Sequence, residues 1–89
     1  MKNKIIYTLM EFSSPAAAVE LPPSSICGSF TKHHKAIVEL SHSVERMMKN
    51  NYIPTTIEKD KVILHKDADV HSDSWVEFYI QPTTLTDEV

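Results

Sequence analysis

One stretch of the sequence, "HKDADVHSD", repeats a histidine or an aspartate at every second position: His65, Asp67, Asp69, His71 and Asp73. In an extended backbone alternate residues project to one side, and mixed imidazole and carboxylate ligands suit zinc or manganese-type ions. The stretch is not an EF-hand loop, because Ser72 stands at the position of the central glycine and Phe78 at that of the last glutamate. A polar turn between two strands is the alternative, since Asp and Ser favour turns.

A second stretch, "KHHK", places Lys32, His33, His34 and Lys35 at the start of a predicted helix, where the helix dipole disfavours positive charge. A bound phosphate or carboxylate would reverse that penalty, because the first turn of a helix offers free backbone N–H groups. The alternative is structural: His33 closes the end of the core with its ring against an apolar neighbour, and the lysines extend into solvent.

Nucleophilic catalysis has one candidate, Cys27, which has two histidines within seven residues. Thiolate chemistry needs the base close in space, which sequence spacing does not establish, and a buried, inert thiol is the simpler interpretation. We therefore predict no enzymatic activity and no cofactor. A lone cysteine also cannot form an internal disulfide, so a reducing compartment fits best.

The length and the charge pattern limit the possible classes of protein. The 89 residues suit a single domain, residues 1–89, and 42% of them are hydrophobic, enough for one modest core. The net charge is −3, and after residue 50 eight acidic residues face three lysines. An acidic C-terminal half argues against nucleic acid, which is bound by clustered Lys and Arg.

The N-terminal sequence "MKNKIIYTLMEF" imitates a secretory signal, but Glu11 interrupts a short apolar run that a strand explains equally well. No stretch approaches the ~18 apolar residues of a membrane span. We expect no membrane association and a cytoplasmic location.

Hydrophobic periodicity predicts a strand over residues 4–12, a flexible Pro/Ser-rich loop over 13–25 and a short strand ending at Phe30. Thr31 is the expected N-cap of a helix that ends near residue 50, with Asn50 or Asn51 as its left-handed terminator, and whose apolar stripe is Ile37, Leu40, Val44 and Met47. Residues 55–58 and 61–65 form two strands or one kinked strand, residues 75–81 form the last strand, and a loose tail follows. The order predicts an α+β fold of β-β-α-β-β type: one mainly antiparallel sheet of about four strands with the helix on one face.

The sheet face away from the helix is the expected place of function. Strand alternation puts Tyr7, Leu9, Trp75 and Tyr79 opposite the core residues, and a face with so many large side chains rarely stays bare. Tyr7, Trp75 and Tyr79 are therefore the candidate interaction residues, and Trp75 is the preferred anchor. The sequence predicts a small interaction or regulatory module that binds a protein partner or forms a homodimer through this face or a sheet edge. A small-ligand or metal-binding domain remains the alternative.

The junction "ICGSFTKHHKA" contains Gly28, Phe30, Thr31, Lys35 and Ala36, a strand that ends in Gly-x-aromatic and leads through Thr into a helix with an early Lys-Ala. In this junction and in element order the chain resembles small uncharacterised ββαββ domains of bacteria and phages. The resemblance implies the same fold class, and it carries over no functional residue.

Overall fold

The computed structural model describes residues 3–20 and 28–86. Within these ranges the chain forms five strands and two helices: β1 (Asn3–Ser13), α1 (Pro15–Glu20), β2 (Ser29–Phe30), α2 (His33–Met48), β3 (Tyr52–Glu58), β4 (Lys61–Lys66) and β5 (Trp75–Thr86). Neither of these helices is long and apolar enough to cross a membrane.

The five strands form one sheet in the order β2-β1-β5-β4-β3, and all neighbouring pairs are antiparallel. The predicted α+β fold with a single antiparallel sheet is confirmed. The sheet has one strand more than expected because residues 52–58 and 61–66 are separate strands, joined by a tight turn at Lys59 and Asp60.

The paired strands β1 and β5 run along the longest dimension of the molecule. It runs from Asn3 opposite Thr86 to Ser13 opposite Val76. In contrast, β4 pairs with β5 only from Trp75 to Tyr79, and β2 pairs with β1 only at Tyr7 and Thr8. Residues 3–6 and 83–86 therefore form a two-stranded extension beyond the other described strands, which we call the arm. The molecule measures 50 × 22 × 19 Å.

Helix α2 covers one face of the sheet with the predicted apolar stripe. Leu40 and Met47 are buried in a core with Val76, Phe78 and Ile80 of β5. Ile37 and Val44 of the same stripe are partly buried and pack against this core. The predicted packing of the helix on the last strand is confirmed.

The ends of α2 differ slightly from prediction. The N-cap is Lys32, in extended conformation and without a side-chain capping bond, so the expectation of Thr31 is wrong by one residue. At the other end the helix stops at Met48, and Asn51 has a φ of 66°. Asparagine tolerates this left-handed conformation better than most residues, as expected for the terminator.

The predicted loop over residues 13–25 is wrong for Pro15–Glu20, which form α1, while residues 21–25 lie outside the described ranges. Ser14 accepts a hydrogen bond from the Ala17 N–H (3.2 Å), so a capping serine followed by proline at the first helical position begins the helix. The expected C-terminal tail is also shortened, because β5 continues to Thr86.

The predicted orientation of β1 is wrong. Leu9 is buried in the core, and Tyr7 packs against it from the α2 side of the sheet. Glu11 belongs to the same odd-numbered set, and its charged side chain is only 5% exposed and lies 3.7 Å from the Arg46 guanidinium of α2. Tyr7 therefore does not lie on the sheet face away from α2, and the even-numbered residues of β1 lie on that face instead.

Candidate interaction surface

The sheet face away from α2 is uncovered by any described element, and we call it the open face. Strand register assigns its residues: Lys4, Ile6, Thr8, Met10 and Phe12 of β1 lie beside Leu85, Thr83, Gln81, Tyr79 and Glu77 of β5. On β4, Lys61, Ile63 and His65 lie beside Tyr79, Glu77 and Trp75. The structure thus places Trp75 and Tyr79 together on this face, as the alternation of the last strand predicts.

The main apolar feature of the open face is an aromatic pair. The rings of Phe12 and Tyr79 stack with their centroids 5.7 Å apart and an angle of 10° between their planes. Phe12 remains 49% exposed. Met10 and Ile63 lie next to the pair and are half-buried. Phe12, Met10 and Ile63 were not among the candidate residues. The alternation of β1 assigns Met10 and Phe12 to this face only when the orientation of the strand is known.

Two shallow depressions flank the aromatic pair. One of about 560 Å³ lies between Phe12, Tyr79, Glu77 and the β3–β4 turn. The other, of about 280 Å³, is lined by Ile63, His65, Trp75 and Glu77. Both are open to solvent, unlike the enclosed pockets that bury most of the surface of a small ligand.

The charges of the open face are balanced, in contrast to the acidic chain as a whole. Lys4 and Lys61 oppose Glu58 and Glu77 on this side of the sheet. Lys61 approaches Glu58 at 3.6 Å. Neither Lys4 nor Glu77 has an ion-pair partner within residues 3–20 and 28–86. Among the described residues the face therefore presents two unpaired opposite charges, Glu77 beside the aromatic pair and Lys4 at the other end of the β1–β5 ribbon.

The exposed strand edges carry features that hinder pairing with another strand. The outer strand β3 contains Pro54, and the register with β4 shifts between Pro54 and Thr56. Pro82 interrupts the β5 edge where β4 has ended. Proline lacks the N–H that a new strand would need, and a bulge twists the edge away. The face offers a better contact surface than the edges.

The helix start, the candidate anion site, has a carboxylate of the chain itself beside it. His33 Nε2 lies 2.7 Å from the Asp60 carboxylate of the β3–β4 turn, and the His33 ring meets the Tyr7 ring edge-on at 5.2 Å. His34 and Lys35 are exposed, and so is Lys32, which precedes the helix. Asp60 supplies negative charge near the helix dipole, so the cationic residues are explained without an added anion.

The proposed metal ligands are not brought together. Asp67 has a positive φ of 56° and Asp69 accepts a hydrogen bond from the His71 N–H at 2.9 Å, so the backbone turns here and the extended alternation is wrong. His65 lies in β4 with its Nδ1 2.6 Å from the Thr55 hydroxyl. No three His, Cys, Asp or Glu side chains in the described part of the chain are arranged to hold a metal ion. Asp73 is exposed, and Cys27 lies outside the described residues.

A polar cluster that the sequence did not reveal ties α1 to the sheet. The Glu20 carboxylate accepts hydrogen bonds from the Tyr52 hydroxyl (2.9 Å) and from Lys66 Nζ (2.8 Å). The bond from Lys66, followed by that from Tyr52, lowers the pKa of Glu20. The same bond raises the pKa of Lys66, while burial and then Glu20 raise the pKa of Tyr52. The three residues are 14 to 46 positions apart and no local pattern links them.

Comparisons with protein-family models, with curated proteins and with solved structures find no match for this chain.

Proposed function

We propose that this protein is a small non-enzymatic interaction module whose docking surface is the open face. The observation that carries the proposal is the stacked Phe12–Tyr79 pair, which lies on the sheet and is not covered by any described element. Aromatic side chains supply large contact areas with little loss of conformational freedom, and they dominate the energy of many protein contacts.

The chemistry of the partner follows from the charges of the open face. A face with Lys4 and Lys61 against Glu58 and Glu77 has no net charge to attract a polyanion such as nucleic acid. Exposed aromatic and aliphatic side chains with a few charged residues among them match the composition of protein interfaces. The expected partner is a protein surface that presents exposed apolar side chains and a few balanced charges.

A photochemical crosslink tests the proposal in the full chain. Benzoylphenylalanine replaces Phe12 on the open face, which is 49% exposed, or Val38 on the outer side of α2, which is 48% exposed. We expect a covalent protein adduct in cells from position 12 and none from position 38. The yield of the adduct from position 12 should fall when Trp75→Ala is added, because Trp75 lies on the same face. No adduct from position 12, or the same adducts from both positions, would contradict the proposal.

The alternative of an anion or metal site has less support. Asp60 already lies beside His33 at the helix start, and the turn conformation of Asp67 and Asp69 separates the proposed ligands. Isothermal calorimetry with inorganic phosphate and with Zn²⁺ measures both sites directly. We expect no saturable heat with either ion at millimolar concentration.

A further inference from the structure

The open face is self-complementary along the β1–β5 ribbon. Its successive rows pair Lys4 with Leu85, Ile6 with Thr83, Thr8 with Gln81, Met10 with Tyr79, and Phe12 with Glu77. The row of Thr8 and Gln81 lies midway. One end carries a lysine beside an exposed leucine, and the other end carries a glutamate beside an exposed phenylalanine. The two ends are thus opposite in charge and both are apolar.

We infer that the partner of the open face is a second copy of this chain, packed face to face with its ribbon antiparallel. A two-fold axis that passes across the strands at the row of Thr8 and Gln81 exchanges the two ends of the ribbon. Lys4 of each copy then lies over the end that carries Phe12 and Glu77 of the other. The inference rests on the proposed function, since it names the occupant of the same surface.

Electrostatics selects the antiparallel arrangement over the parallel one. Within one chain Lys4 and Glu77 are separated by eight rows, roughly 26 Å at 3.3 Å per residue, so they do not pair internally. Antiparallel packing brings both pairs of opposite charges together. Parallel packing would instead place Lys4 near Lys4 and Glu77 near Glu77 of the other copy, where like charges repel.

The arm gives a second, independent reason for a second copy. A two-stranded ribbon alone is marginally stable in water, and the arm exposes Leu85 (51%) on the open face. Antiparallel packing covers the open face of the arm, which carries Ile6 and Leu85, with Met10, Phe12 and Tyr79 of the other copy. The arm then becomes part of a sandwich of two sheets, about 10 Å apart, as in aligned sheet packing.

Charge exchange between two variants tests this arrangement, and the probe is the purified full chain in sedimentation equilibrium at low salt. Lys4→Glu and Glu77→Lys should each weaken self-association about tenfold or more, because each puts two like-charge pairs in the interface. An equimolar mixture of the two variants should regain an affinity close to that of the wild type. In the mixed dimer the two substituted side chains face each other with opposite charges, and the native Lys4 of one copy faces the native Glu77 of the other.

Two further variants provide a charge control and an independent test of the interface. Lys35→Glu makes the same charge change on the exposed side of α2 and should leave self-association unchanged. Leu85→Ser removes an exposed apolar contact of the arm without touching the core, and it should weaken dimers by at least about fivefold even if Glu77→Lys fails to fold. A wild type that is monomeric at millimolar concentration would overturn the inference. So would full association of the pure Lys4→Glu and Leu85→Ser variants.

Failure of this inference is distinguishable from failure of the proposed function. The crosslink from position 12 should give an adduct of twice the 10.1 kDa mass of the chain. An adduct with a different protein, together with a monomeric wild type, would leave the proposed function standing and remove the second copy. The absence of any adduct from position 12 would remove both.

Discussion

At the scale of single residues, Ser14 joins three elements of the fold. Its buried side-chain oxygen accepts hydrogen bonds from the Ala17 N–H (3.2 Å) and from the Trp75 N–H (3.0 Å), while its own N–H donates to the Trp75 carbonyl (2.9 Å). One hydroxyl thereby starts α1 and fixes the beginning of β5. Trp75 is thus positioned on the open face by a residue that precedes it by 61 positions.

We predict that Ser14→Ala destabilises the protein by about 1–3 kcal/mol, because it removes a helix cap and leaves a buried N–H without its acceptor. Urea unfolding followed by circular dichroism measures the change. Ser13→Ala is the matched control, since its side chain makes no hydrogen bond within the described residues. Equal effects of the two variants would show that the Ser14 hydroxyl has no special role.

Leu40 reports on the core in the same experiment. It is only 5% exposed and packs between α2 and the sheet. Leu40→Ala should lower the free energy of unfolding by about 2–5 kcal/mol through lost burial and the cavity left behind. Val38→Ala, on the exposed side of the same helix, should change it by less than about 0.5 kcal/mol. A loss below that value for Leu40 would mean that this face of α2 is not in the core.

The residues that the sequence could predict are those governed by periodicity. The stripe of Leu40 and Met47 and the alternation of Val76, Phe78 and Ile80 gave the correct buried set. The orientation of β1 could not be read in the same way, because both of its alternate sets contain large apolar residues and the buried set includes the charged Glu11. Its pairing with Arg46 belongs to the tertiary structure.

At the scale of elements, the composition of the sequence did not predict helix α1. Three prolines and four serines between residues 13 and 25 indicated a loop, but Ser14 and Pro15 followed by alanines are also the signature of a helix start. A helix of six residues is too short to be stable alone, so its tertiary contacts hold it. Ala17 is buried in the common core, and Glu20 binds Tyr52 and Lys66 at the other end.

The attachment of α1 should depend on pH. The pKa of Glu20 is lowered in the folded protein from its ordinary value of 4.5, so the ionised carboxylate stabilises the fold above pH 4.5 and loses this effect as the pH falls through the folded-state pKa. We predict that Glu20→Gln lowers the unfolding midpoint near pH 7 and that the difference from the wild type shrinks below pH 4.5. Thermal unfolding between pH 3 and pH 7 measures it.

The stabilising effect of the same cluster should also be lost at alkaline pH. The pKa values of Lys66 and Tyr52 are both raised, so their contributions are complete below their ordinary values, 10.5 and 10.0, and are lost as the pH rises through the folded-state values. Glu45→Gln, an exposed glutamate of α2, serves as the control for the charge change. A difference between Glu20→Gln and the wild type that is constant over the whole acid range would exclude the carboxylate as its cause.

At the scale of the whole molecule, the long dimension of the chain follows the β1–β5 ribbon. The 11 residues of β1 alone span about 36 Å, more than either of the two shorter dimensions of 22 and 19 Å. The resulting radius of gyration, 14.7 Å for Cα atoms, exceeds the ~12 Å expected of a compact chain of this length. The excess length carries the arm, which local patterns did not predict because the C-terminal part of β5, with Pro82 and three threonines, resembles a tail.

This shape makes the proposed mode of self-association testable without a high-resolution structure. Antiparallel packing about the row of Thr8 and Gln81 overlaps the two ribbons along most of their length, so the dimer should have a maximum dimension of roughly 65 to 70 Å. Chains joined end to end through their arms would reach about twice the single-chain length of 50 Å. Small-angle X-ray scattering over a concentration series separates these cases. We expect the forward scattering to double while the maximum dimension rises by less than half, and a doubling of both would exclude the face-to-face arrangement.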